Sequence, residues 1–189
     1  MNKRLKQVLV TGLVMLGLGL VSKRAEAFQP DTMTLSVTPG NVTFSVQITS
    51  VNPSGYQFGA VNIAATTVST AAITVANAGG GNIAEYFGMK VSNSAPDGWT
   101  PQAGAPAADQ FRLIGELNAT QLPTASFLAA DAITGSFPGA AATLYNQAST
   151  KTSVAASKNL WLRLEMPTSL VVGVGGAQTM TLFIQGQSS

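Results

Sequence analysis

Asp97, Asp109, Glu116, Asp131 and Glu165 are the acids whose chemistry could be put to work in this chain. Glycoside hydrolysis needs two carboxyl groups flanking a glycosidic bond. These five are scattered, and none has a recognisable context, so they read as solvated surface acids. The chain has no His and no Cys. That removes His/Cys zinc sites, the Ser-His-Asp triad and Cys-His nucleophiles together. Lys151 and Lys158 stand near serines, but a Ser-x-x-Lys spacing does not occur after residue 27. Calcium calls for clustered oxygen ligands, and there is no Asp-x-Asp run. Gly79-Gly80-Gly81 lacks the lysine and helix of a phosphate loop. The expectation is a protein that is not an enzyme, with no catalytic residues, cofactor or metal.

Recognition chemistry has better candidates. Trp99 is the one large side chain in an irregular segment, Ser92 to Gln110, that contains Pro96, Gly98, Pro101, Gly104 and Pro106. It has two readings: a ring folded back as a lid over one end of the domain, or an exposed ring that stacks on a sugar or on a neighbouring subunit. Trp161, Arg163 and Glu165 alternate with Leu160, Leu162 and Leu164. On a strand they share the face opposite the leucines, where an Arg–Glu pair and a flat ring would be partly exposed. Trp99, Trp161 and Arg163 are the candidate ligand or partner contacts, with Tyr145 as a weaker addition.

The elements that must carry these residues are strands. Met33, Leu35 and Val37 alternate with Thr and Ser, and Val42, Phe44, Val46 and Ile48 do the same after the Pro39-Gly40-Asn41 turn. Period-2 alternation marks a strand with one apolar face. The stretch from Tyr56 to Val91 is expected to supply the central strands. It offers Tyr56 to Ile63, then a strand face with Ile73 and Val75, then Ile83, Glu85, Phe87, Met89 and Val91 on one parity. Gly59 suggests a bulge or close backbone approach, and Asn77 to Asn82 reads as a loop. Glu85 is expected at the open end of its strand. Phe111, Leu113, Gly115 and Leu117 predict a further strand, as do Leu160 to Met166 and Met180, Leu182 and Ile184. Ala119 to Asn146 fits either a strand pair or a short helix, with strands favoured. About eight to ten short strands in one domain predict an all-β antiparallel β-sandwich, immunoglobulin-like or jelly-roll.

The N-terminus reads as an export signal. Lys3, Arg4 and Lys6 precede an apolar run from Val8 to Val21, and Ala25-Glu26-Ala27 supplies a cleavage site before Phe28. Residues 1–27 are expected to be a signal peptide and 28–189 a single domain. An uncleaved anchor is the alternative, kept open by Lys23 and Arg24, although the run is short for a bilayer span. Five of the ten basic residues and one of the eight acids lie in 1–27, so the rest of the chain has five basic and seven acidic residues, net −2. Nucleic acid and anionic lipid lose their electrostatic support. No integral membrane span is expected after signal removal. Without cysteine there is no disulfide staple, and roughly 160 residues suffice for a core.

Two resemblances add to this. Tyr56-x-Phe58-Gly59-x-Val61 followed by Ile73-Thr74-Val75-x-Asn77-x-Gly79 resembles the opening of immunoglobulin-like domains of the Hydin and spindle-protein type, over residues 56–80. Ala64-Ala65 stands where those domains have a glycine. Leu160-Trp161-Leu162-Arg163-Leu164-Glu165-Met166-Pro167 and a final Gln/Thr-rich strand resemble secreted bacterial jelly-roll proteins of the biofilm-fibre and camelysin group. That second likeness implies polymerisation by lending a strand to a neighbour. The expected function is an exported structural protein of the cell surface, matrix or a filament, secreted or periplasmic, that self-associates or binds other surface proteins through its strand edges. The alternative is a module that binds carbohydrate or a surface partner through exposed aromatics.

Overall fold

The computed structural model describes residues 46–48, 56–78, 83–172 and 177–188. The chain divides into two units, Met1–Gly40 and Asn41–Ser189, and every described residue belongs to the second. The alternating run at 33–37 and the export signal lie outside the described residues.

Nine strands are present among the described residues: β1 (Val46–Ile48), β2 (Thr66–Val68), β3 (Ile73–Asn77), β4 (Tyr86–Val91), β5 (Thr100–Pro101), β6 (Gln110–Leu117), β7 (Ala132–Ile133), β8 (Ser157–Glu165) and β9 (Leu182–Gln187). They form an all-β sandwich. The large sheet runs β1-β3-β8-β6-β5, with β2 also on β8 and β7 also on β6, and the small sheet is β4-β9. All pairings are antiparallel except the short parallel contact of β5 with β6.

The centre is β8, and not the Tyr56–Val91 stretch. On one side β8 pairs with β6, from Leu117↔Leu160 to Arg112↔Glu165. On the other it pairs with β3 over its first half and β2 over its second. Between β2 and β3 the fully buried Ser69 keeps the ladder intact. Its N–H donates to the Leu162 carbonyl at 2.7 Å, and its hydroxyl accepts the Leu162 N–H at 3.0 Å. The small polar run that separates the apolar stretches is therefore itself a strand and its continuation. The expected strand at Tyr56 to Ile63 does not form. Tyr56 and Phe58 instead meet edge to face, with ring centroids 5.0 Å apart, beside the core. Gly59 there has φ +73°, which breaks an extended run and which glycine adopts without strain.

The core lies between the sheets. Phe111, Leu113 and Leu117 of β6 and Leu160, Leu162 and Leu164 of β8 meet Phe87, Met89 and Val91 of β4, all buried. These are the inner-face residues that the alternation picks out. Each such side chain removed from water contributes about 1.5–3 kcal/mol. Gly115 lets the layers close: a Cβ there would come within 3.0 Å of Ile133 Cδ1 and 3.2 Å of Leu160 Cδ1.

Buried polar side chains finish edges that strands do not cover. The Gln147 amide accepts the Phe87 N–H at 2.8 Å and donates to the Phe87 carbonyl at 3.1 Å, which is what a neighbouring strand would offer. It also donates to the Ala141 carbonyl. Asn77 donates to the carbonyls of Ile83 and Thr152. Glu85 is not at an open end. It is fully buried, and its backbone exchanges hydrogen bonds with Thr152 at 3.0 and 2.7 Å.

Residues 119–146 are neither a strand pair nor an α-helix. They hold two single 3₁₀ turns, Thr124–Ser126 and Ala129–Asp131, and the two-residue β7. The segment lacks a sustained period of 2 or 3.6, and prolines at 123 and 138 interrupt both.

Candidate functional site

The chemistry-bearing residues gather on the outer face of the large sheet, beneath the segment from Asn118 to Ile133. Arg112, Ile114 and Glu116 of β6 lie beside Glu165, Arg163 and Trp161 of β8 in register. Alternation places them together, and the overlying segment removes them from water. Ile114, Phe127 and Trp161 form a second apolar cluster, with Val68, Ala72, Leu122 and Ala132 packed on it.

Trp161 is thus 8% exposed, and its indole N–H donates to the Asn118 carbonyl at 3.0 Å. The expected partly exposed ring is instead the floor under a cover. Arg163 pairs with Glu165, as its neighbour position suggests, and also donates to the carbonyls of Thr124 and Phe127. Glu165 is shared. Arg112 Nε donates to Glu165 Oε2 at 2.8 Å and Arg112 Nη2 to Oε1 at 2.7 Å. One carboxylate between two guanidinia, with little solvent access, fixes β8, β6 and the cover to one another. Trp99 is 5% exposed and belongs to the main core, the lid reading of that residue. Its backbone N–H donates to Ser94 Oγ at 2.9 Å. Tyr145 is buried as well, and its phenol is pushed up to about 12 by burial. None of the three rings is offered to a ligand.

The five acids have separate fates. Gln178 donates to Asp97, and Asp109 accepts the N–H groups of Val171 and Val172. Glu116 and Asp131, fifteen residues apart in sequence, are both buried, at 2% and 3% exposure, and lie near enough to influence each other's charge. Glu116 Oε1 accepts the Leu128 N–H at 3.2 Å, and Asp131 Oδ1 accepts the Tyr145 N–H. Burial, and then the nearby Asp131 charge, push the Glu116 carboxyl up to about 7, against the lowering effect of the Leu128 hydrogen bond. Buried in this way, neither carboxyl is open to a glycosidic bond, which both must flank. Among the described residues no three His, Cys, Asp or Glu side chains gather as metal ligands.

Among the described residues, an accessible aromatic side chain with a cation beside it lies on the small sheet. Lys90 on β4 lies 4.9 Å from the centroid of Phe137 and 5.0 Å from that of Phe183, its cross-strand partner on β9. Phe183 is 44% exposed. Lys151 lies over Tyr86 at 5.5 Å.

No family model, curated protein or solved structure matches this chain. Among the described residues no helix is long and apolar enough to cross a membrane.

Sequence reasoning missed the Glu116–Asp131 pair and the Lys90 clamp. A signal for the first exists in hindsight. Ile114 lies between Arg112 and Glu116 on the outer face of β6, opposite a tryptophan-bearing face of β8. Two large apolar side chains on a face assigned to solvent call for a cover.

Proposed function

We propose that this protein is a non-enzymatic, exported structural subunit of a cell surface, matrix or filament, which assembles through its strand edges. The observation that carries this reading is the make-up of the edges. The eight-residue β6 is flanked on its outer side by strands of only two residues, β5 and β7. Long edges with fragmentary cover are templates for pairing with another chain. The sparse charge, the Thr-, Ser- and Gln-rich strands and the N-terminal export pattern support the same reading. The absence of His and Cys supports a non-enzymatic role. Sedimentation of the purified chain across a concentration series, with negative-stain imaging of the heaviest fraction, tests it. Filaments or regular sheets are expected. A strict monomer at high concentration counts against it.

One observation favours a second reading, binding of carbohydrate or a surface partner. Phe183 and Lys90 form an accessible aromatic–cation pair on the small sheet. Under this reading Phe183→Ala abolishes retention on a glycan panel. The positions singled out from sequence, Trp99 and Trp161, are buried and would serve as folding controls only.

A further inference from the structure

At one end of the core the inner rows of the two sheets stop being apolar. On β3 the row Ile73, Val75 continues into Asn77, and on β4 the row Val91, Met89, Phe87 continues back into Glu85, the residue just before the strand. Residues two apart on an extended chain share a face, so Asn77 and Glu85 both lie on inner faces. Thr152 joins them. It is bridged antiparallel to Glu85, with hydrogen bonds of 3.0 and 2.7 Å. Directly opposed residues of an antiparallel pair carry their side chains on the same face. The Asn77 amide nitrogen ties the group together, donating to the Ile83 carbonyl at 2.9 Å and to the Thr152 carbonyl at 3.1 Å. Asn77, Glu85 and Thr152 are buried, at 0%, 0% and 3% exposure.

Buried polar atoms are nearly always hydrogen-bonded. Asn77 Oδ1 and Thr152 Oγ1 are closed to solvent, and neither has a hydrogen-bond partner among the described residues. Two carbonyls on the Asn77 nitrogen fix which end of the amide donates, so the atom left over is an oxygen. Glu85 adds two carboxylate oxygens and a formal negative charge beside them. An amide oxygen, a hydroxyl oxygen and a carboxylate are the donor set of a hard cation. Charge selects among such ions. One carboxylate balances one positive charge, whereas a divalent ion would leave net charge buried, which is costly. Lys158 on β8, opposite Val75, directs its ammonium to the Thr150 carbonyl at 3.2 Å.

We propose that Asn77, Thr152 and Glu85 form a site for one monovalent hard cation, of the sodium or potassium kind, which closes this end of the core and ties β3, β4 and the segment around Thr152 to one another. The site does not depend on the assembly reading above. It gives a role to the acid that interrupts an apolar row, at a position where a purely structural strand would carry one more apolar side chain.

The test is urea denaturation of the full chain at constant ionic strength, with sodium chloride replacing choline chloride, whose cation is bulky and organic. Potassium chloride and calcium chloride make two further arms. The folding constant of wild type is expected to rise with sodium or potassium, approaching about tenfold for each tenfold increase once the site fills. Glu85→Gln keeps the shape and removes the charge, and Thr152→Val keeps the shape and removes the hydroxyl oxygen. Both are expected to lose the dependence. Equal wild-type stability in sodium, potassium and choline would overturn the site. Stabilisation by calcium alone would overturn the assignment to a monovalent ion. A response that survives unchanged in both variants would be a general salt effect and would also overturn the site. If neither variant folds, sodium NMR relaxation in the presence of wild type keeps the question open to refutation. Relaxation enhanced by the protein and restored by excess potassium supports the site, and no enhancement overturns it.

Discussion

Between the sheets, Phe87, Met89, Phe111, Leu113, Leu160 and Leu164 pack directly on one another. On the far side of the same large sheet, Ile114, Phe127 and Trp161 form a cluster of three buried side chains, flanked by Glu116, Asp131, Arg112, Arg163 and Glu165. The inner layer is held by area removed from water, which is non-directional and insensitive to pH. The outer layer has a smaller apolar cluster, three buried side chains with Val68, Ala72, Leu122 and Ala132 packed on it. It adds a carboxylate held between two guanidinia, and buried acids that accept backbone N–H groups. Such contacts fix geometry sharply, and they are conditional, because changing one partner or its charge turns attraction into a buried, unpaired group. The same two strands thus carry one face closed by apolar packing and one closed largely by ionic and polar contacts.

The comparison can be broken most severely from the inside. Phe111→Ala removes a fully buried ring from the inner layer and is expected to cost about 4 kcal/mol. Chemical denaturation should show one cooperative transition, shifted for every probe. A transition that splits, with the outer cover unaffected, would mean that the two layers do not share one folding unit.

Next in size is Glu165→Ala, which leaves Arg112 and Arg163 facing each other and is expected to cost about 3 kcal/mol. A triple change, Arg112→Met, Arg163→Met and Glu165→Leu, should recover most of that loss, since the outer layer would then be apolar like the inner one. Failure to recover would show that the ions do more than occupy space.

The third effect concerns pH. Glu116 is raised from 4.5 to about 7, chiefly by burial. The folded state therefore binds the proton more tightly than the unfolded state. The stability this contributes is fully present below about pH 4.5 and is lost as pH rises toward 7, amounting to as much as about 3 kcal/mol. Urea denaturation at stepped pH should show this decline in wild type and not in Glu116→Gln. A wild-type stability that rises over that interval would contradict the assignment.

The smallest effect is expected on the small sheet. Lys90→Met removes the cation from between Phe137 and Phe183 and should change stability by less than about 1 kcal/mol. A larger loss would mean that this surface, too, is a built layer.

Much of the inner layer was legible in the sequence. Phe111, Leu113 and Leu117, and Leu160, Leu162 and Leu164, announce their strands and their common face by spacing alone. The outer layer was not legible, because a period of two says which side of its own strand a residue takes and nothing about what covers that side. The failure at Tyr56 to Ile63 has a related cause. Aromatic and β-branched residues favour strands, but the available place beside β8 went to the smaller Thr66–Val68 and Ser69, which fit the ladder there.

The order of apolar and polar residues by itself determined that the chain is all-β, where its longer strands run, and which faces meet in the core. That follows because burial of alternate side chains is a local property of an extended chain. Only the tertiary structure decided that Trp99 and Trp161 are closed to ligands, that Glu165 is shared by two arginines, and that Glu116 and Asp131 are buried. Those facts depend on contacts between residues distant in sequence, where no local pattern records the partner and where burial, by withdrawing water, sets the charge.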